Sequence, residues 1–485
     1  DTTAQLVGKR VAPVRQATDR FGSAVAVDGP AGVVGSPQAT VNAAAQSGRL
    51  HAIAGDDWDM VADIDSSFGA TGSRLLGTSA AISGPLAVFG APVYFSDIYF
   101  AGGVYAYAAA DVDVWKLEAI LPAPMPATDK LVGLSVGLAD DKVLAGMQLD
   151  AVGMPGRAYA WQRMSPGVWS APQTLAAPDL APDDRFGVAV DVRGDRALVG
   201  APGADADRGA AYVFEWSGAA WTPAGKLVAA DRMPGDIFGA AVAIDGDTAL
   251  VGAPGRNGTS GAAYVFMKEG DAWVEHGPAL VPLDLEPQSR HGFEVALRVP
   301  YAVVGAIDHG LDPNLPTTGG TGRGVWYGRA DDGTWLQLAA IVAEDGVPGD
   351  RLGWSVALDG GSALLGAPGD DDNLGSVYLF RLAQPDGAAC VAADDCASKA
   401  CCDGTCMATC AEPTSTGPDP TSTTSAASTG DPPPALGLDP AEDLGCACTS
   451  RHVPGDSRQT PLALLLLALA AWARTPRRGR RRRGA

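Results

Sequence analysis

Side chains able to do chemistry are few and scattered in this sequence. Five histidines, His51, His276, His291, His309 and His452, fall in no HExxH pattern, and no phosphate-binding loop or dinucleotide fingerprint occurs. The common zinc and nucleotide chemistries therefore lack local support. One Gly-x-Ser-x-Gly string, Gly133-Leu134-Ser135-Val136-Gly137, spells a nucleophile elbow, which needs a strand-to-helix turn beneath its serine. Asp308-His309 opens a long insertion, residues 306–323, that projects from one face as a binding loop or an inert one. Cys390, Cys396, Cys401, Cys402, Cys406 and Cys410 lie within 21 residues. So dense a set in a loop-rich segment reads as three disulfides formed in an oxidising compartment. Zinc is the rival reading, permitted by the gaps from Cys402 to Cys406 to Cys410, but the module has no histidine.

The elements that must position these residues come from a repeat. A unit containing Phe-Gly, then Gly-Ala-Pro, then an aromatic strand recurs seven times. Its first glycine is Gly22, Gly77, Gly133, Gly187, Gly239, Gly292 and Gly353; its second is Gly35, Gly90, Gly146, Gly200, Gly252, Gly305 and Gly366. The interval is 13 in every unit. Each unit reads as four strands, clearest at 188–192, 197–199, 209–214 and 221–228. Small residues on the first strand and aromatics on later ones suit a wedge-shaped sheet, and the repetition predicts an all-β, seven-bladed propeller. Within it the Gly-x-Ser-x-Gly string falls on a first strand, His291 takes a packed Phe slot, and Arg193-Gly194-Asp195 is a hairpin turn. Trp115, Trp169, Trp221, Trp273 and Trp335 begin fourth strands and are expected between blades. The seventh unit lacks a fourth strand. Residues 5–12 precede the first Phe-Gly as 225–230 precede the fifth, with Lys9 and Lys226 each 12 residues before the Phe. The N-terminal strand should therefore close the last blade and remove an exposed edge.

Phe186-Gly187 with Gly200-Ala201-Pro202, Phe238-Gly239 with Gly252-Ala253-Pro254, and Leu352-Gly353 with Gly366-Ala367-Pro368 resemble FG-GAP repeats. Such repeats form the seven-bladed head of integrin α chains and of many bacterial surface proteins. The resemblance covers residues 1–386 and implies ligand binding or adhesion. Units one, three and six are degenerate copies. Integrin-type repeats often carry a Ca²⁺ loop between first and second strands, but here those turns are short: Asp28-Gly29-Pro30, Asp245-Gly246-Asp247, Asp359-Gly360-Gly361. The acidic residues follow the Gly-Ala-Pro element instead, as Asp205 and Asp207 and as Asp370, Asp371 and Asp372. These last three are the candidate Ca²⁺ ligands or else a solvated acidic turn. No other cofactor is expected.

Domain boundaries follow from composition: propeller 1–386, Cys-rich module 387–410, and a Ser/Thr/Pro-rich disordered stalk 411–445. Residues 446–485 contain Cys446 and Cys448, a short hydrophobic helix at 462–473, and an arginine-rich end. Twelve apolar residues fall short of the roughly 20 needed to span a bilayer. This tail is similar to the MYXO-CTERM sorting signal of myxobacteria. That resemblance implies export, cleavage by a sorting protease near Cys446, lipid on the cysteine, and outer-surface display, with an uncleaved membrane anchor as the alternative. The chain starts at Asp1, so a secretory signal peptide is expected to have been removed or omitted.

The 485 residues carry a net charge of −21, which excludes nucleic acid as a partner held through phosphates. Seven arginines lie in the last 12 residues, leaving 28 basic against 56 acidic side chains, or −28, for residues 1–473. The sequence thus reads as a non-enzymatic, cell-surface propeller recognising a protein or polysaccharide. A structural envelope component is one alternative; a hydrolase or lyase acting on polysaccharide or phospholipid through dispersed carboxylates is another.

Overall fold

The computed structural model describes residues 3–383, apart from 42–45, 56–59, 65–73, 94, 97–98, 101, 112–113, 123, 125–130, 148–153 and 311–318, together with 401–402 and 405–406. It is a seven-bladed β-propeller. Blade four shows the plan: Val190–Arg193, Arg196–Ala201, Ala210–Trp216 and Trp221–Leu227 form one antiparallel sheet in chain order from the inside outward. Seven such sheets stand side by side, and their innermost strands contact one another in a closed circle.

Burial follows position in the sheet. In blade five the second strand, Thr248–Ala253, is buried along its whole length, because a neighbouring blade covers each of its faces. A near-continuous apolar run is what such a doubly covered strand requires. The first strand alternates, with β-branched Val190 and Val192 buried and Asp191 between them half-buried. The hydrophobic core is accordingly divided into seven clusters, each shared by two adjacent blades. Trp221 packs in the cluster between blades three and four, and Trp273 lies against Gly225 of the blade before it.

The invariant 13-residue interval has a steric cause. Gly239 has a left-handed φ of +90°, which aims its carbonyl at the Cα of Gly200 in the preceding blade. A Cβ on Gly200 would stand 2.0 Å from that oxygen. Gly239 N–H also donates to the carbonyl of Gly252, the second glycine of its own blade (2.9 Å). The same approach links all seven neighbouring pairs, including Gly366 to Gly22 across the ring closure, so both glycines are fixed at once by two blades.

The N-terminal strand closes the ring as expected. Thr3–Arg10 pairs antiparallel with Ser376–Ala383 in register Leu6↔Phe380 and Lys9↔Tyr378, with an irregularity between Leu6 and Gly8. Two fourth strands depart from the plan. In blade three the strand is split into Val168–Trp169 and Gln173–Leu175, with Pro172, which has no N–H to donate, between them. In blade five it stops at Glu275, and Leu280 rejoins the sheet opposite Ala263.

Beyond the propeller only a short pairing of Cys401–Cys402 with Thr405–Cys406 is described. The disulfide candidates Cys390, Cys396 and Cys410, the stalk, Cys446, Cys448 and the arginine-rich tail lie outside the described residues. Among the described residues no helix is long and apolar enough to cross a membrane.

Candidate ligand-binding mouths of the axial channel

All seven inner strands run the same way, from the Phe-Gly end to a hairpin turn, so the ring has two distinct mouths. Six residues at about 3.3 Å each separate them by roughly 20 Å.

At the hairpin mouth, the residue six positions after the first glycine engages the next blade in five of the seven units. Gly84 N–H donates to Asp28 Oδ2 (2.6 Å), Asp140 N–H to Ser83 Oγ (3.1 Å), Val299 N–H to Asp245 Oδ2 (2.9 Å) and Gly29 N–H to Asp359 Oδ2 (3.0 Å). In blade four this position is Arg193, whose Nε lies 3.8 Å from Asp245. Asp195, the third residue of that turn, is 3.5 Å from Lys142. The Arg-Gly-Asp tripeptide thus sits in the hairpin turn expected of it, between paired Arg193 and Arg196, with its two charged ends near side chains of the adjacent blades. A cavity of about 780 Å³ opens here, lined among others by Asp28, Ser83, Arg193, Arg196, Glu215, Trp216 and Lys268. Its charges are internally balanced: Arg196 reaches Asp247 (2.9 Å) and Lys268 reaches Glu215 (2.5 Å). Half-buried Trp216, its ring centred 5.4 Å from that of Trp221 and tilted 55° to it, supplies an apolar wall.

Inside the channel the lumen is lined by small residues except in blades four and six. Asp191 accepts hydrogen bonds from Val192 N–H and, across the blade interface, from Ile244 N–H (both 2.8 Å). Glu294 occupies the slot held by Ala or Ser in every other blade. Protein surrounds it although lumen water retains some access, and this burial pushes its carboxyl up to about 8, aided by the Asp191 charge from a non-adjacent blade. A carboxyl whose folded pKa is raised contributes its full stability below its unfolded pKa of about 4.5 and loses it as pH rises through 8. Glu294→Gln should match the parent at pH 4.5 and exceed it by about 1–2 kcal/mol at pH 9; the value is discounted for lumen water at roughly 1.4 kcal/mol per pKa unit. Urea midpoints at the two pH values measure this, and an equal difference at both would refute it.

At the Phe-Gly mouth, acidic residues serve as ties. Lys9 Nζ sits between Asp345 Oδ2 (2.7 Å) and Asp370 Oδ2 (2.6 Å), over the Tyr378 ring, and the single Tyr378 hydroxyl hydrogen has both carboxylates within reach, Asp345 Oδ1 at 2.9 Å and Asp370 Oδ2 at 3.1 Å. Burial alone would lower the ammonium pKa, but these partners hold it above its usual value. Tyr212, Asp179 and Lys226 repeat the arrangement in blade four, as do Tyr264, Asp231 and Arg256 in blade five. Asp371 pairs with Arg15 (2.8 Å), Asp205 with Arg232 (3.2 Å) and Asp207 with Arg185 (3.6 Å). The Ca²⁺ candidates Asp370, Asp371 and Asp372 do not make a cage in this arrangement. Two of the three are neutralised by side-chain cations, and among the described residues no three acidic, imidazole or thiol groups converge.

Other candidates resolve into packing. Ser135 lies within the strand Val132–Ala139, with no helix after it, and its Oγ donates to the Gly187 carbonyl (3.1 Å). Ser79 and Ser355 make the same inter-blade bond in their own blades. His291 is fully buried against Tyr327 Oη (3.1 Å), and desolvation lowers its pKa to about 3. Asp308 pairs with Arg290 (3.1 Å) and His309 with Glu286 (3.0 Å), which pins the start of the insertion.

Two arrangements escaped sequence reading. Ser36 Oγ lies 3.1 Å from His51 Nε2, and His51 Nδ1 lies 2.9 Å from Asp63 Oδ1. This Ser-His-Asp chain joins three strands, so no local spacing announces it. Ser36 is 1% exposed and His51 wholly buried, and desolvation, opposed by Asp63, lowers the imidazole pKa. It is a polar tie in the slot where five other blades place tyrosine. The second is an arginine immediately before the Phe-Gly slot in four blades: Arg20, Arg185, Arg290 and Arg351. All four have left-handed φ, between 54° and 59°. The repeated Arg-Phe-Gly and Asp-Arg-Leu-Gly strings were the available signal.

The comparisons agree with this architecture. The family model described as FG-GAP repeat matches residues 169–214, 221–266 and 335–380, under a third of the chain. Each window begins on the fourth strand of one blade and runs into the third strand of the next, blades four, five and seven. No curated protein matches the sequence. Fold and repeats together define a propeller of the ligand-binding, integrin-like kind.

Proposed function

We propose that this chain is a cell-surface recognition protein that binds a protein or polysaccharide ligand without transforming it. The observation carrying this reading is the roughly 780 Å³ cavity at the hairpin mouth, with Trp216 as an apolar wall beside Arg196, Glu215 and Lys268. A mixed-charge concavity with one aromatic wall suits an extended, hydrogen-bonding ligand. The acidic balance of the propeller disfavours polyanions over most of its surface and favours basic or cation-bridged partners.

The test is retention of the full chain on immobilised cell-envelope polysaccharide and protein fractions. Trp216→Ala and the milder Arg196→Gln should each weaken retention about tenfold or more. Unchanged retention by both would remove the cavity from recognition, and release of soluble product would favour the hydrolase or lyase reading. Surface display rests on the C-terminal signal, with a sorting protease as second partner and lipid or a membrane segment as anchor. Mass spectrometry of the surface form should find an end near Cys446; peptides from Arg458 onward would refute processing.

A further inference from the structure

The Phe-Gly mouth presents cations that its own carboxylates do not neutralise. Two of the four arginines before the Phe-Gly slot meet a carboxylate: Arg185 lies 3.6 Å from Asp207, and Arg290 Nε, in blade six, meets Asp308 Oδ2 at 3.1 Å, the side chains of this last pair being about nine-tenths buried. Asp308 stands three residues after the second glycine, Gly305. In blade seven the corresponding residue is Gly369 and in blade one it is Gln38, so neither blade offers that carboxylate. Arg351 and Arg20 are the arginines left over. Nε of each is buried without a hydrogen-bond acceptor, and among the described residues no ion pair engages either. Their blades are adjacent through the ring closure, and the two guanidiniums repel each other. In a chain with 56 acidic against 35 basic residues, two neighbouring arginines without a carboxylate are a departure that costs stability.

Their positions are held rigidly. Ser23 Oγ donates to the Arg20 carbonyl (2.8 Å), Arg20 N–H donates to Asn373, and Leu352 N–H, next to Arg351, donates to Thr321 (2.9 Å). Beside them lies an aromatic surface of a kind other blades lack. Trp354 and Phe293, each one residue after a first glycine, replace Ser23, Thr78, Leu134, Val188 and Ala240. Their rings meet at 5.2 Å, and the Arg351 guanidinium lies 5.8 Å from the centre of the Trp354 ring. Both residues are half-buried and keep some contact with solvent.

We infer that Arg20 and Arg351, with Trp354 and Phe293, form a binding site for the carboxylate of an acidic sugar residue in a polysaccharide. Two guanidiniums match the two oxygens of a carboxylate through charge-assisted, geometrically specific bonds. A pyranose ring attached to that carboxylate presents C–H groups to the neighbouring aromatic faces. A glutamate side chain would satisfy the arginines equally but has no ring to lay on Trp354 and Phe293, which favours the glycan. This site is at the opposite mouth from the cavity and stands or falls independently of it.

The experiment uses the full chain with trigalacturonate as probe, maltotriose as neutral control and triglutamate as peptide control, each followed by thermal shift and calorimetry. Trigalacturonate near saturation should raise the melting temperature by about 2–4 °C, an effect that weakens with added salt. Arg351→Gln and Arg20→Gln should each reduce trigalacturonate affinity at least tenfold. The same variants should melt at or above the parent temperature without ligand, because they remove a buried repulsion, so lost binding cannot be ascribed to unfolding. Trp354→Ala should weaken trigalacturonate but leave any weak triglutamate binding unchanged. The site is overturned if trigalacturonate acts no more strongly than maltotriose, or if both arginine variants retain full affinity. Triglutamate binding equal to trigalacturonate would overturn the sugar assignment in favour of an acidic peptide.

Discussion

Gly200→Ala should destabilise the propeller by about 3 kcal/mol or more, with the urea midpoint as the measurement. The added methyl carbon would stand 2.0 Å from the Gly239 carbonyl oxygen, well inside contact distance. Neither side can move freely. Gly200 N–H donates to Ala189, and Gly239 N–H donates to Gly252 (each 2.9 Å), so relief requires shifting two sheets against each other. Overpacking in an adaptable core typically costs about 1–3 kcal/mol, and a clash with backbone on both sides belongs at or above the top of that range. Gly194→Ala is the control. Gly194 also has positive φ (+56°), but a Cβ there meets nothing within 4 Å, so only the backbone preference of roughly 1–2 kcal/mol applies. If the two variants lose equal stability, the contact between blades is not what fixes the repeat.

Removing residues 1–12 should have the second large effect: a melting temperature lower by more than about 10 °C and a tendency to self-associate. The deletion strips the outer strand from blade seven and removes Ala12 from the cluster between blades seven and one. It also takes away Lys9, which leaves Asp370 buried without its cation, itself a loss of about 3 kcal/mol for a well-buried pair and less here because Lys9 is partly exposed. Each kcal/mol is worth about 2–4 °C for domains of 150–250 residues and less for one of this size, so the lost strand pairing and apolar contacts, rather than Lys9, must supply most of the drop. The freed edge of Ser376–Ala383 would offer unpaired backbone groups to another molecule. Adding a peptide of residues 1–12 should restore both melting temperature and monomeric behaviour by strand addition. A truncated chain that melts like the parent would show that closure of the ring contributes little.

The legible part of this protein is what repeats locally. The 13-residue interval identified the hairpin, the small and β-branched residues its inner strand, and the position of Lys9 relative to Phe21 the closing strand. Lys9 then proved to occupy the same Tyr-Asp-cation arrangement as Lys226. The illegible part lies in contacts between strands or blades far apart in sequence. Asp370 and Asp371 read as ligands waiting for a metal because Lys9 and Arg15, which meet them, are more than 350 residues away. Ser36, His51 and Asp63 come from three strands, and no short motif connects them.

By itself, then, the sequence determined the architecture: seven hairpin-based units, the glycines that let them stack, and a first strand committed to the last blade. Those features are set by sterics and hydrogen bonding within a few residues of each other, and each unit repeats the same solution. Only the tertiary structure decided which charges are spent on holding blades together and which remain available. It paired the acidic turns with cations, raised Glu294 in the lumen, and left Arg20 and Arg351, in adjacent blades, each with a buried Nε that has no acceptor. The physical reason is that electrostatic partnership depends on distance in space. Ring closure brings blades one and seven together, and spacing along the chain carries no record of which groups then meet.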